Sequence, residues 1–228
     1  MRARHTREKP IWQAQDKHSL GDLRFVRLLG ASAWAGLPDT IRARFGKRLG
    51  PGQSVVYRGE VLQTRLSRLG RIVAKLLGPI GAPLPLDRST GGEAAIVTVT
   101  ESPDGMGQFW TRQYNRRAGF PQVIHSMKRF AGPTGLEEIV GGGLGMTLWL
   151  HADSKCLKFS SQNYFLNLLG VRFYLPGWLT PGALTVGHHD LGNGQFDFTL
   201  DLVHPLFGEL LHQRARFVDM AHLPVGQA

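Results

Sequence analysis

The sequence predicts an α+β domain in which a strongly curved antiparallel sheet, a half-barrel or cradle, clasps helices from its N-terminal third. Three observations carry this. Helical periodicity is confined to residues 23–77. From residue 93 onward apolar residues recur with period two. The period-two segments are joined by short Gly-, Pro- and Asn-containing turns, which suits hairpins and excludes helical crossovers between parallel strands. Seven to nine consecutive strands would have to curl to cover their apolar face, with the early helices filling the hollow.

Residues 1–18 are charged and lack an apolar face, and read as a flexible basic tail before one domain over 19–222. Ser19 or Asp22 can cap a helix over LRFVRLLG, with Leu23, Phe25 or Val26, and Leu29 on its buried side. Pro38 and Asp39 suit the first turn of a second helix, in which Ile41 and Phe45 face one way. SVVYRGEVLQ (54–63) has strand composition. It runs into a basic amphipathic helix over 65–77. Arg65, Arg68, Arg71 and Lys75 form one stripe of that helix, and Leu66, Leu69, Val73 and Leu76 the other.

The strands follow. Pro103-Asp104-Gly105 supplies a turn between two of them. On the first, Val97 and Val99 share a face; on the second, Trp110, Arg112 and Tyr114 do. Further strands are expected over PQVIHSMKRF, 136–140, 144–151 and 156–165. Phe196, Phe198, Leu200 and Leu202 alternate with Gln195, Asp197, Thr199 and Asp201, the pattern of a half-buried strand. ELLHQRARFVDM closes the series.

Bulk properties set limits on function. The 228 residues are 42% apolar and 19% charged, as in a globular protein. The single cysteine, Cys156, excludes an internal disulfide and any cysteine-built metal site; inside a strand pattern it reads as a packing residue. No run approaches the ~20 apolar residues that span a bilayer, and the N-terminus lacks the apolar core of a secretory signal. The expected location is cytoplasmic, peripheral at the inner membrane if the basic helix rests there. The net charge of +10 is uneven: residues 1–80 hold 16 Lys and Arg against 5 Asp and Glu, and residues 81–228 hold 11 against 12. Such a field attracts an anionic membrane, nucleic acid or an acidic partner, or it serves solubility alone. Nucleic acid fits poorly, because the excess cations lie off the strands that carry the aromatic residues.

Motifs narrow the chemistry further. GGGLG (141–145) lacks the spacing of a phosphate loop and precedes a strand. There is no G-x-S-x-G elbow and no H-E-x-x-H. His188, His189 and Asp190 invite a metal reading, with His204, His212 or Asp201 as a third ligand. Adjacent strand residues face opposite sides, however, and the following Asn193-Gly194 is a hairpin turn. The hairpin reading explains these residues, and neither a metal nor a cofactor is expected. A buried Arg112 would need a carboxylate partner, for which Glu138 is the best placed. Trp110, Arg112, Tyr114 and Glu138, joined by Arg58, are therefore the candidate ligand-binding residues. Arg65, Arg68, Arg71 and Lys75 are the candidate membrane or anion contacts.

The ordered motifs LRFVRLLGASAWAGLPDTIRARF, YRGEV, RLGRIVAKLLGPIGAPLP, FWTRQY, LEEIVGG, YLPGWLTP and QFDFTLDLVHPLFGELLHQRARF span about residues 22–218. In this order the chain resembles a bacterial domain family known by a domain-of-unknown-function label, found alone and fused behind saccharopine-dehydrogenase-like reductases. The resemblance points to Arg58, Gly59, Trp110, Arg112, Glu138, Pro176, Pro205 and Gly208 as pattern positions, and to a reductase-type protein as a partner. His212 stands where it leads one to expect a tyrosine. The resulting expectation is a domain that binds a hydrophobic or amphipathic small molecule, such as a lipid, near the inner membrane surface. The alternatives are an enzyme using His188, His189 or Glu138 as acid or base, and a nucleic-acid or protein adaptor.

Overall fold

A computed structural model describes residues 21–50, 53–79, 84–88 and 91–219. The expected basic tail lies outside the described residues, as do both ends of the expected domain. Three short helices come first: α1 (Arg24–Leu29), α2 (Ala31–Ala35) and α3 (Asp39–Phe45). Strand β1 (Ser54–Leu66) leads into α4 (Arg68–Leu77). Ten strands follow: β2 (Glu93–Glu101), β3 (Gly107–Tyr114), β4 (Gln122–Arg129), β5 (Glu137–Gly141), β6 (Leu144–Ala152), β7 (Cys156–Leu168), β8 (Val171–Tyr174), β9 (Ala183–Gly192), β10 (Gln195–His204) and β11 (Gly208–Asp219).

Every pairing is antiparallel, as hairpin connections require. The cradle expected from the sequence is instead closed. The order β6-β5-β4-β3-β2-β1-β11-β10-β9-β7 returns on itself through a β6–β7 pairing, giving a ten-stranded barrel. The cause of closure is β7, whose 13 residues serve both edges. One edge pairs with β6 over residues 157–166. The other is shared between β9, on residues 156–160, and β8, on residues 165–168. Closure removes the exposed sheet edges that a cradle would carry.

Helices α1–α3 plug one end. Phe25 is fully buried there, with its ring edge-on to those of Phe45 and Phe130 at centroid distances of 5.2 and 5.1 Å. Asp22 Oδ1 accepts from the Arg24 backbone N–H just ahead of α1, whose N-cap is Leu23, and Arg24 also pairs with Glu101 at 2.8 Å. Thr40 donates to Asp190 at 2.6 Å, tying α3 to β9. Leu23, expected on the buried side, is exposed, because the plug is formed around Phe25.

At the other end α4 starts three residues later than expected. The Ser67 hydroxyl accepts from Gly70 N–H at 2.9 Å and caps the helix. Arg65 therefore lies on β1 and not in the helical stripe; it faces outward and pairs with Glu209 at 2.8 Å. Leu76, expected on the inner stripe, is exposed. The face of α4 against β11 is Gly70 and Ala74, since a Cβ on Gly70 would lie 2.0 Å from the Leu210 carbonyl oxygen. Gly70→Ala should force the helix off the strand and cost about 1–3 kcal/mol. That appears as a melting temperature lowered by several degrees, and an unchanged melt would show that α4 is not seated this closely.

Alternation sets the two faces of the wall. Tyr57 and Val61 of β1 point inward, so Arg58 and Glu60 point out. Outside, Asp197 is covered by Arg214 and Arg216.

Candidate functional site

Between the helical plug and the opposite end the barrel is incompletely filled. A funnel opens at the α4 end with about 80 Å³ for the centres of water-sized groups, within about 740 Å³ including its open mouth. Its walls are apolar: Ile124, Met146, Val186, Phe198 and Leu202 project inward from four strands. Leu77 of α4, Pro85 and Pro181 form the mouth. A single water needs about 10–15 Å³ of such space, so the interior takes roughly five to eight water-sized groups. That suits one slender chain and is too small for a haem-sized group.

The floor is charged. Arg112 Nη1 donates to Ser126 Oγ at 3.1 Å and Nη2 to Glu138 Oε1 at 3.4 Å. Lys128 Nζ donates to Glu138 Oε2 at 2.9 Å. All four side chains are buried. The register places them: Arg112 pairs across to Ile124, and Lys128 is directly opposite Glu138, which is opposite Met146. Ile124, Ser126 and Lys128 alternate on β4, so all three point inward. Burial by itself raises a carboxyl pKa, but Lys128 and Arg112 outweigh it and hold Glu138 down to about 2. Burial lowers the Lys128 pKa, opposed by Glu138 and reinforced by Arg112. Two basic side chains thus face one carboxylate, and Arg112 Nε has no hydrogen-bond partner among the described residues.

Of the residues singled out in the sequence, Arg112, Tyr114 and Glu138 line the funnel together. Trp110 lies beneath it, 5.3 Å from Lys128 Nζ and 5.9 Å from the Arg112 guanidinium carbon, as a cation–π support. Arg58 is exposed on the outer wall and does not reach the funnel. Lys128, Ser126 and Tyr164 join Arg112, Tyr114 and Glu138 without standing out in the sequence. Their signal was the alternation in IHSMK and in the strand that carries Tyr164.

The His-His-Asp triplet is divided by the strand. His188 points inward, its ring centroid 5.0 Å from that of Phe45 and 5.4 Å from that of Phe198. Neither ring nitrogen has a partner among the described residues. Burial, then Arg44, Lys128 and Arg112, push its pKa well below the usual histidine value, so the ring is neutral. His189 faces the other side, 3.3 Å from Thr199 Oγ1, and Asp190 accepts from Thr40. His212 pairs with Asp201 at 2.6 Å, and His204 Nδ1 accepts from Leu206 N–H. Among the described residues no three His, Cys, Asp or Glu side chains converge on a metal-sized point.

The state of His188 makes a measurable demand on stability. Its folded pKa is depressed, so the unfolded chain takes up a proton below about pH 6.5 that the folded chain refuses. The associated stability is present above that pH and is lost as pH falls. His188→Phe, beside a void of about 10 Å³, should remove roughly 1 kcal/mol of the loss between pH 7.5 and 5.5. Chemical denaturation at the two pH values reads this; parallel curves for both proteins would refute it.

A second cavity of about 290 Å³ adjoins the mouth, separated by Tyr114 and Pro85. It is more polar, and its Arg116 and Arg117 are paired with Asp87 and Glu93.

The fold and site define a closed antiparallel barrel, plugged at one end, with an apolar internal funnel on a charged floor. The chain belongs to the domain-of-unknown-function family DUF4166, whose model matches residues 37–217 and so takes in α3 and all but the last two residues of the barrel. No curated protein matches the chain.

Proposed function

We propose that the protein binds a slender amphipathic molecule in the barrel, with the apolar chain in the funnel and an anionic head, such as a carboxylate, at Arg112. One observation carries this: two buried basic side chains share one carboxylate at the bottom of an otherwise apolar funnel. A buried cation left without a counter-charge is costly. An anion arriving at the floor completes the balance, and water exclusion strengthens that contact. Binding, not turnover, is favoured because the floor's acid–base groups are committed. Glu138 is held ionised by two cations, and burial pushes both Tyr114 and Tyr164 up to about 12. A bacterial source and a reductase-type partner accord with this reading, the partner being the component that would act on a delivered ligand.

Native mass spectrometry of freshly purified protein tests the proposal. The wild type should carry an adduct that denaturation releases, and Arg112→Leu should carry at least tenfold less while melting no lower than wild type. Equal adduct on both proteins would reduce the floor to scaffolding.

A further inference from the structure

The open end of the barrel carries the feature that the funnel does not explain. Strand β7 continues beyond the mouth and turns back as β8, so that Val171 and Phe173 lie across from Leu168 and Leu166. These residues share the β7 face that carries the inward-pointing Tyr164. The cavity's own face therefore extends past the mouth, and Leu168, Val171 and Phe173 on it are exposed. The tip is Leu169-Gly170, with φ of 50° and 82°. This is the mirror-image turn that favours Asn-Gly. The barrel uses Asn193-Gly194, with φ of 52° and 72°, for the same geometry at the plugged end. At the open end the position holds a leucine that is 105% exposed in a backbone region unfavourable to it. Trp178, in the short 3-10 turn Gly177–Leu179, is 77% exposed at the same end. Phe207, at the β10–β11 turn, is exposed there too, as are Ile72 and Leu76 of α4.

Charge at this end is not balanced. The carboxylates Asp87, Glu93 and Glu209 are each in an ion pair with an arginine, and Asp201 pairs with His212. Arg68, Arg71 and Lys75 on α4 are exposed and have no acidic partner among the described residues.

We infer that the open rim docks end-on to an anionic lipid bilayer, with Leu169, Phe173 and Trp178 dipping into the interface and the α4 cations on lipid headgroups. Apolar tips flanked by unbalanced cations are the pattern of an interfacial contact. A protein partner would have to complement an apolar ridge and three cations at once, whereas a mixed bilayer supplies both chemistries without fixed geometry. Docking would place the funnel mouth against the acyl region. That route for the ligand rests on the cavity reading, but the docking itself does not.

Sedimentation of the full chain with vesicles of phosphatidylcholine, with and without phosphatidylglycerol, tests it at about 0.05 and 0.5 M salt. Binding should need the anionic lipid and weaken at high salt. Arg68→Gln, Arg71→Gln and Lys75→Gln together should weaken it about 100-fold, at about fivefold per cation. Leu169→Asn with Trp178→Ser should weaken it at least tenfold. Leu169→Asn suits the backbone better, so its melting temperature should not fall, which keeps loss of binding separate from misfolding. Equal binding to neutral vesicles, or none to either, overturns the proposal. So does a solution dimer that Leu169→Asn with Trp178→Ser dissociates while vesicles are ignored, since the rim would then belong to a second copy. Arg112→Leu should sediment like wild type. A chain that sediments yet retains no adduct overturns the cavity reading alone, and one that keeps its adduct but ignores vesicles overturns docking alone.

Discussion

Glu138→Gln should cost the fold about 3–5 kcal/mol, the largest loss expected of any single substitution at the floor. Among the described residues this carboxylate is the only acid that Arg112 and Lys128 share, at 3.4 and 2.9 Å. Its amide leaves both buried without a counter-charge. At this chain length such a loss lowers the melting temperature by roughly 10 °C. Acid should mimic it. The folded pKa of Glu138 lies near 2, below the ordinary value of about 4.5. A depressed carboxyl contributes stability that is present above the unfolded pKa and lost as pH falls toward the folded one. About 3 kcal/mol should therefore vanish between roughly pH 5 and pH 2 in the wild type. The same component should be missing from the pH dependence of Glu138→Gln. Replacing the whole cluster, Arg112→Leu with Lys128→Met and Glu138→Leu, should restore stability to at least the wild-type level, because an apolar set of similar volume avoids desolvating charge. It should bind no ligand. If Glu138→Gln melts within about 1 kcal/mol of wild type, the three groups do not form the buried cluster described.

The second large effect is on binding. Val186 lines the funnel midway along its wall. Val186→Phe should fill the space otherwise taken by three or four methylenes of the ligand. At about 0.8 kcal/mol per buried methylene, affinity should fall about 100-fold. Stability should change little by comparison, because the added ring enters a void instead of a packed core. Retained affinity would place the ligand elsewhere, with the polar cavity beside Tyr114 as the next site to probe.

Period two was enough to put Trp110, Arg112 and Tyr114 on one face, and the need of a buried guanidinium for a counter-charge was enough to pair Arg112 with Glu138. The same rule, applied to VVYRGEV, would have sent Arg58 outward. The alternation of Tyr57, Gly59 and Val61 was there, but the basic character of Arg58 invited a role in the site. A lysine in a strand is ordinarily solvated, and only register opposite Glu138 brings Lys128 into the floor. Helical spacing runs back through Arg65, whereas the Ser67 cap marks where the strand ends. Strand β8 carries no local signal for a physical reason: its turn is Leu169-Gly170 in an apolar run, without the polar residues that announce a hairpin. Closure could not be read from local pattern at all. It depends on β7 being long enough to serve three neighbours, a property of pairing across distant segments.

Calorimetric titration with octanoate and with octanol addresses the central claim most directly, since the two probes share a slender tail and differ in the head. The barrel should bind octanoate at least tenfold more tightly than octanol, and Arg112→Leu should abolish the difference while leaving the weak binding of the alcohol. Equal affinity for the two probes in the wild type, or no binding of either, would contradict an anion-seeking floor beneath an apolar funnel.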